Sequence, residues 1–218
     1  MHYHCMTIDF DNTLGHFIGQ GGSKGFFSIF EKRGIPHETV ARCYESTKTA
    51  NGFSLDRFFD ELALQGIALL SHAVIRVEIQ REFEEWLCQS LVLYPDSAPT
   101  LTWLRTRHIP ICIITFGDDA FQRRKIELAH PPYDDIVVIP HLNSKADAER
   151  TMLARFGGPV IFIDDKRSEL DAVREAGLTE KEVRTFHINR PDSPYQDQRA
   201  KWSHGEIQTL VELLPEFA

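Results

Sequence analysis

"MTIDFDNTLG", residues Met6 to Gly15, opens as an apolar, β-rich run and closes on two aspartates one residue apart, followed by Asn, Thr, Leu and Gly. Such a run reads as a buried strand, which gives no reason for two carboxylates at its end. Extended back to Cys5, it is the first of five similar runs. The others are "ICIIT" (Ile111 to Thr115), "IVVI" (Ile136 to Ile139), "VIFID" (Val160 to Asp164) and "VRTFHI" (Val183 to Ile188). All are short, largely without alternation, and separated by helical patterns. Strands of a parallel sheet covered on both faces look like this. Helices are predicted over residues 98–105, 120–129, 145–156 and 168–176, the last closing on Gly177 as a C-terminal cap. The alternation predicts an α/β fold with a doubly wound, mostly parallel five-stranded sheet. A final amphipathic segment, "GEIQTLVELLPEF", reads as a closing helix.

Between the first run and the second, from about Gly15 to Ser90, no strand run is found. Helical patterns replace it: "HETVARCYESTKT", "SLDRFFDELALQG" and "SHAVIRVEIQREFEEWLCQSL". A crossover needs only about a dozen residues, so some seventy residues of helix imply an inserted subdomain. The expected organisation is an α/β core from residues 1–14 and 91–218, with an all-helical cap from 15–90. The joint "GHFIGQGGSKG" carries five glycines but lacks the Gly-Lys-Ser/Thr ending of a phosphate-cradling loop, so it reads as a hinge or flap. Phe26, Phe27 and Phe30 read as cap core. "QRRK" (Gln122 to Lys125) reads as a solvated helix face.

The chain has 218 residues, 42% hydrophobic and 26% charged, with a formal net charge of −8. The acidic balance argues against a nucleic-acid partner, whose phosphates call for clustered Lys and Arg. No apolar stretch of about 18 residues is present to span a membrane, and the N-terminus lacks the basic and apolar regions of a secretory leader. A cytoplasmic protein is expected. The four cysteines lack metal-type spacing and read as reduced thiols.

In an open parallel sheet, ligands bind beyond the carboxyl ends of the strands. The polar residues expected there are Asp9 and Asp11, then Thr115 with "FGDD", then Lys145, then Asp164 and Asp165. Each has an ordinary alternative: a turn for Asp11 and Asn12, a helix N-cap for Asp118 or Asp119, a solvated charge for Lys145, a turn for Asp164 and Asp165. Together, several carboxylates at one end of a sheet repel one another unless a cation sits among them. Oxygen ligands without His or Cys call for a hard ion, most simply Mg²⁺. Mg²⁺ beside a lysine is equipment for phosphoryl transfer. In that chemistry Asp9 is placed to attack phosphorus, and Asp11 to protonate the leaving alcohol and then deprotonate water. Thr115 and Lys145 would bind the phosphoryl group.

"DFDNTL" resembles the first motif of the haloacid dehalogenase superfamily, "ICIIT" its second and "SKAD" its lysine motif. "VIFIDDKRSELDAVREAG" is similar to its acidic fourth motif, and "LYPDSAPTLTWLR" to the segment where the chain re-enters the core. The resemblance covers roughly residues 1 to 14 and 91 to 190. It implies Asp9 as nucleophile, Asp11 as acid/base, Thr115 and Lys145 as phosphate ligands, and Mg²⁺ held by Asp9, the Asp11 backbone carbonyl and Asp165. Asp164 is the alternative to Asp165 in that set. The implied activity is hydrolysis of a small phosphorylated metabolite. Phosphomutase and phosphonatase chemistry, the latter through a cap lysine such as Lys24, Lys32 or Lys48, are the alternatives within the superfamily. Asp11 speaks against a dehalogenase. A non-catalytic phosphate-binding or signalling protein is the alternative of another class, and the order Thr, Lys, then Asp-Asp speaks against a receiver module. Asn12 stands where glycine is commoner in the superfamily, and residues 189–205 match nothing in it.

Overall fold

The computed structural model describes residues 3–19, 22–48, 52–191 and 193–217. Strand β1 (Cys5–Ile8) leads through a tight turn to β2 (Gly15–Phe17). Helices α1 (Phe27–Glu31), α2 (His37–Thr47), α3 (Leu55–Leu64) and α4 (Ala73–Ser90) follow, with short 3-10 turns at Gly22–Phe26 and Ala68–Ser71. The chain returns through β3 (Leu91–Leu93) and alternates α5 (Ser97–Thr106), β4 (Ile111–Phe116), α6 (Asp119–Ala129), β5 (Asp135–Ile139), α7 (Lys145–Phe156), β6 (Val160–Asp164), α8 (Arg167–Glu175) and β7 (Val183–Ile188). It closes with β8 (Gly205–Ile207) and a 3-10 helix, Leu210–Phe217.

The α/β class and the parallel sheet are as predicted, but the sheet has six strands in the order β5-β4-β1-β6-β7-β8. Every neighbouring pair is parallel. The sixth strand falls inside the segment read as a closing helix. It is three residues long and begins on Gly205, where a β-carbon would lie 2.4 Å from the Phe186 ring. No apolar run advertises such a strand, and the helical part of the segment is confined to the 3-10 turns after it. A second correction concerns the inserted region, where β2 and β3 pair antiparallel as a two-stranded ribbon.

The apolar residues form separate cores. Met6, Ile8, Ile111, Ile113, Ile161 and Ile163 pack one face of the sheet. Cys5, Cys112, Ile114, Met152 and Val160 occupy part of the other. The helices between β2 and β3 enclose a cluster of different character, built on Phe26, Phe27, Phe30, Phe58, Phe59 and Phe83. The three phenylalanines read as cap core are buried there. Of the glycine joint, residues 20 and 21 lie outside the described residues.

Two helix ends follow their sequence signals. Asp118 caps α6 by accepting from the Phe121 N–H at 3.1 Å. Gly177, at φ +83°, ends α8, and the Leu178 N–H reaches back to the Val173 carbonyl. All four cysteines are free. Among the described residues no helix is long and apolar enough to cross a membrane.

Candidate active site

β1 lies at the centre of the sheet, with the chain continuing to β4 on one side and to β6 on the other. The crevice at such a reversal, beyond the carboxyl ends, is where the fold leaves room for a ligand. A cavity of about 1020 Å³ occupies it, lined at its floor by Asp9, Asp11, Thr115, Lys145, Asp164 and Asp165. These six are therefore brought to one cavity, whereas Asp118 and Asp119 of "FGDD" are not among its lining residues.

Lys145, at the first turn of α7, is 2% exposed, which removes its reading as a solvated charge. Its Nζ donates to Asp9 Oδ1 at 2.5 Å and to Asp164 Oδ2 at 2.6 Å. Asp164 Oδ1 accepts the Lys166 N–H at 2.8 Å, so both its oxygens are engaged. Asp165 differs: one oxygen accepts from the Ser193 hydroxyl at 2.6 Å, and its N–H is held by Thr13 Oγ1 at 3.2 Å. One oxygen from each of Asp9, Asp164 and Asp165 lies within 4.8 Å of the others.

Three buried carboxylates around one ammonium leave an excess of negative charge. Burial, with Asp164 and Asp11 adding to it, raises Asp9 to about 7 against the pull of Lys145. Burial, with Asp164 and Asp9, raises Asp165 to about 8. Burial also raises Asp164, and Lys145 opposes it. Burial alone would lower the Lys145 ammonium, but Asp164, Asp9 and Glu169 outweigh it and raise the group. The cluster is an oxygen-only site whose charge a divalent cation would balance.

A family model for haloacid dehalogenase-like hydrolases matches residues 3–177. The chain belongs to this family. Enolase-phosphatase E1 of Caenorhabditis briggsae is 28% identical over 133 residues, 56% of this chain and 51% of that protein. The chain thus spans about half the length of the curated relative it matches. Among solved structures, an L-2-haloacid dehalogenase superposes at a TM-score of 0.64 with 17% identity, over 99% of this chain and 100% of its own. An HAD phosphatase from Thermococcus onnurineus gives 0.62 with 20% identity, over 98% and 97%. At these identities the likeness is one of fold.

Where the hydrolase departs most from its sequence reading is "QRRK". The four residues do not share a solvated face. Gln122 and Lys125 are buried at the floor of the cavity. Lys125 Nζ grips Asp11, at 2.6 Å from Oδ1 and 2.5 Å from Oδ2. Gln122 Nε2 donates to the Phe116 carbonyl at 2.7 Å and reaches Asp11 Oδ2 at 3.4 Å, while its Oε1 accepts from Thr115 Oγ1 at 3.3 Å. Arg124 turns instead to the inserted helices, pairing with Glu84 at 2.8 Å. Spacing carries the signal: Gln122 and Lys125 are three apart on a helix that opens beside Thr115, whereas Phe121, Arg124 and Leu128 form the adjoining stripe.

Ser193 and Arg190 carry no signal in the sequence, and Thr13, which stands in the first motif, has no role assigned there. Asn12 adopts φ +56°, a left-handed conformation that Asn accepts at small cost, and the turn it makes lets Phe10 O accept from the N–H groups of Leu14 and Gly15. Thr13 is thereby placed against the Asp165 backbone. Arg190 donates to the Thr13 carbonyl from Nε and Nη2 and pairs with Asp96 at 2.9 Å, binding the first turn to the segment where the chain re-enters the core. These are contacts between residues 94 to 177 positions apart, for which local pattern has no signature.

Proposed function

We propose that this hydrolase is a Mg²⁺-dependent phosphomonoester hydrolase that acts through an aspartyl-phosphate at Asp9 on a small phosphorylated metabolite. The observation that carries the reading is the set of Asp9, Asp164 and Asp165 around the single Lys145 ammonium at the ends of β1 and β6. That concentration of buried negative charge suits a cation and a phosphoryl group. Without a cation it would repel the carboxylate of a haloacid.

Asp9 and Asp165 are the side chains that fit Mg²⁺, joined by the Asp11 carbonyl. Asp164, with Lys145 on one oxygen and the Lys166 N–H on the other, acts as the anchor of Lys145. The cation would neutralise charge on the phosphoryl oxygens in this crevice. An Asp9 oxygen attacks phosphorus as the bond to the leaving alcohol breaks, and Asp11 delivers a proton to that oxygen. Asp11 then takes a proton from the water that attacks phosphorus and frees the Asp9 carboxylate. Thr115 and Lys145 orient the phosphoryl group, and Lys125 with Gln122 sets the direction of the Asp11 carboxylate. The four free thiols fit a reducing, cytoplasmic setting.

The test is hydrolysis of 4-nitrophenyl phosphate. Turnover is expected with Mg²⁺ and is expected to disappear with a chelator and in Asp9→Asn. Activity surviving either treatment removes this mechanism.

A further inference from the structure

The charges of the cavity are unevenly distributed. At its floor each lysine is already committed to a carboxylate of the same wall: Lys145 to Asp9 and Asp164, Lys125 to Asp11, and Lys166 to Glu169 at 3.9 Å. Among the described residues, the cap-side wall carries Lys24 and Lys48 and no carboxylate. Their acidic partner is Glu45, which is not part of the cavity lining, at 3.4 Å from Lys24 and 3.3 Å from Lys48. Both ammonium-bearing side chains keep substantial exposure, 53% and 39%, so they are free to turn toward a ligand. Lys48 Nζ stands 4.4 Å from the centre of the Tyr44 ring, and Tyr44 packs on Phe53 at 5.3 Å between ring centres. Both rings line the cavity.

We propose that Lys24 and Lys48 form a subsite for a second anionic group. The substrate is then a phosphomonoester whose alcohol portion carries a carboxylate or a second phosphoryl group, with an apolar or planar body against Tyr44 and Phe53. The identity of the reacting end rests on the phosphatase reading; the subsite rests on the cap-side wall. A ligand anion entering here competes with Glu45 for two mobile ammonium groups, and no buried ion pair has to be broken. A floor lysine offers no such exchange.

Three non-hydrolysable probes test the subsite by calorimetry on the Mg²⁺-loaded protein: phenylphosphonate, 4-phosphonobenzoate and 1,4-phenylenediphosphonate. The two with a second anionic group are expected to bind about two- to fivefold tighter than phenylphosphonate, the range for partly exposed ion pairs. The tighter of the two names the preferred group. Lys48→Met is expected to bring the ratio toward one, and Glu45→Gln to widen it by releasing both lysines. Equal binding of all three probes overturns the subsite, as does a ratio unchanged in both variants. Phenyl phosphate and 4-carboxyphenyl phosphate, assayed in parallel, separate the two readings. Absence of turnover with the binding preference intact removes the phosphatase and leaves the subsite standing. Turnover of both esters without any binding preference does the reverse.

Discussion

The floor of the cavity and the wall that faces it are built on opposite principles. The floor is assembled from strand ends on aliphatic packing, and its two buried ammonium groups, Lys125 and Lys145, are paired with carboxylates at 2.5–2.6 Å. The wall belongs to helices packed on an aromatic cluster, and its charged groups are exposed and loosely paired. A strand end in the middle of a sheet has its backbone fixed on both sides, so a carboxylate there is held where chemistry needs it. A helix end on the surface holds a lysine less tightly, which suits recognition of variable leaving groups. The two regions meet on α6, where Phe121 and Leu128 enter the aromatic cluster while Gln122 and Lys125 enter the floor. One helix thus ties the position of the wall to the position of Asp11.

If the floor carries the chemistry, changes there should cost turnover without unfolding the chain. Asp11→Asn is expected to lower kcat about 10²- to 10⁴-fold, the usual range for general acid–base groups. Lys125→Met, which leaves Asp11 without its ion-pair partner, is expected to lower kcat about 10- to 100-fold through misplacement of that carboxylate. Steady-state kinetics with circular dichroism as a folding control checks both. A kcat for Lys125→Met equal to that of the parent would show that Asp11 is positioned by something else.

The junction should be more sensitive to shape than to charge. Gly52 sits at φ +75° against Gly117, and a β-carbon there would lie 2.5 Å from Gly117 Cα, backbone against backbone. Gly52→Ala is expected to push the wall off the floor, to destabilise the protein by about 1–3 kcal/mol, and to lower kcat/KM. Thermal unfolding and kinetics together check it. Full activity with full stability would mean that the two regions do not depend on this contact.

Behind the floor, the smallest effect concerns stability alone. Glu149 is fully buried one turn along α7 from Lys145. Burial raises it to about 8 from 4.5, against the lowering influence of Thr7 and Lys145. The folded state therefore holds this proton more tightly than the unfolded chain. The stability it contributes is complete below about pH 4.5 and is lost as pH rises through about 8. Relative to Glu149→Gln, the parent should lose stability over that window, by up to a few kcal/mol. Urea unfolding at pH 5 and pH 8 measures the difference, and a constant gap between the two proteins would contradict it.

Much of the floor is legible in the sequence because its residues follow strands whose apolar runs are unmistakable. Asp9, Thr115, Lys145, Asp164 and Asp165 each sit within a few positions of such a run or open the helix after it. What stays hidden depends on the third dimension. Lys125 and Gln122 look like surface charge and amide until α6 is rotated against the sheet. Ser193 comes from an irregular segment whose path is set by contacts of its neighbours, such as Lys201 and Trp202 N–H groups on the Asp171 carboxylate. β8 is too short, and too dependent on Gly205 clearing Phe186, for any periodicity to reveal it. For the adjacent pair Asp164 and Asp165, motif resemblance points to Asp165 as the metal ligand; what sequence has no way to display is that both Asp164 oxygens are engaged by Lys145 and the Lys166 N–H.

The central claim is that Asp9 becomes covalently phosphorylated, and the direct measurement is to trap it. The protein is mixed with Mg²⁺ and 4-nitrophenyl phosphate, quenched in acid during the first turnovers, reduced with borohydride, and mapped by peptide mass spectrometry. The account predicts reduction of an acyl phosphate at position 9 and nowhere else, absent in Asp9→Asn. Turnover with an unmodified Asp9, or an acyl phosphate at another aspartate, would contradict it.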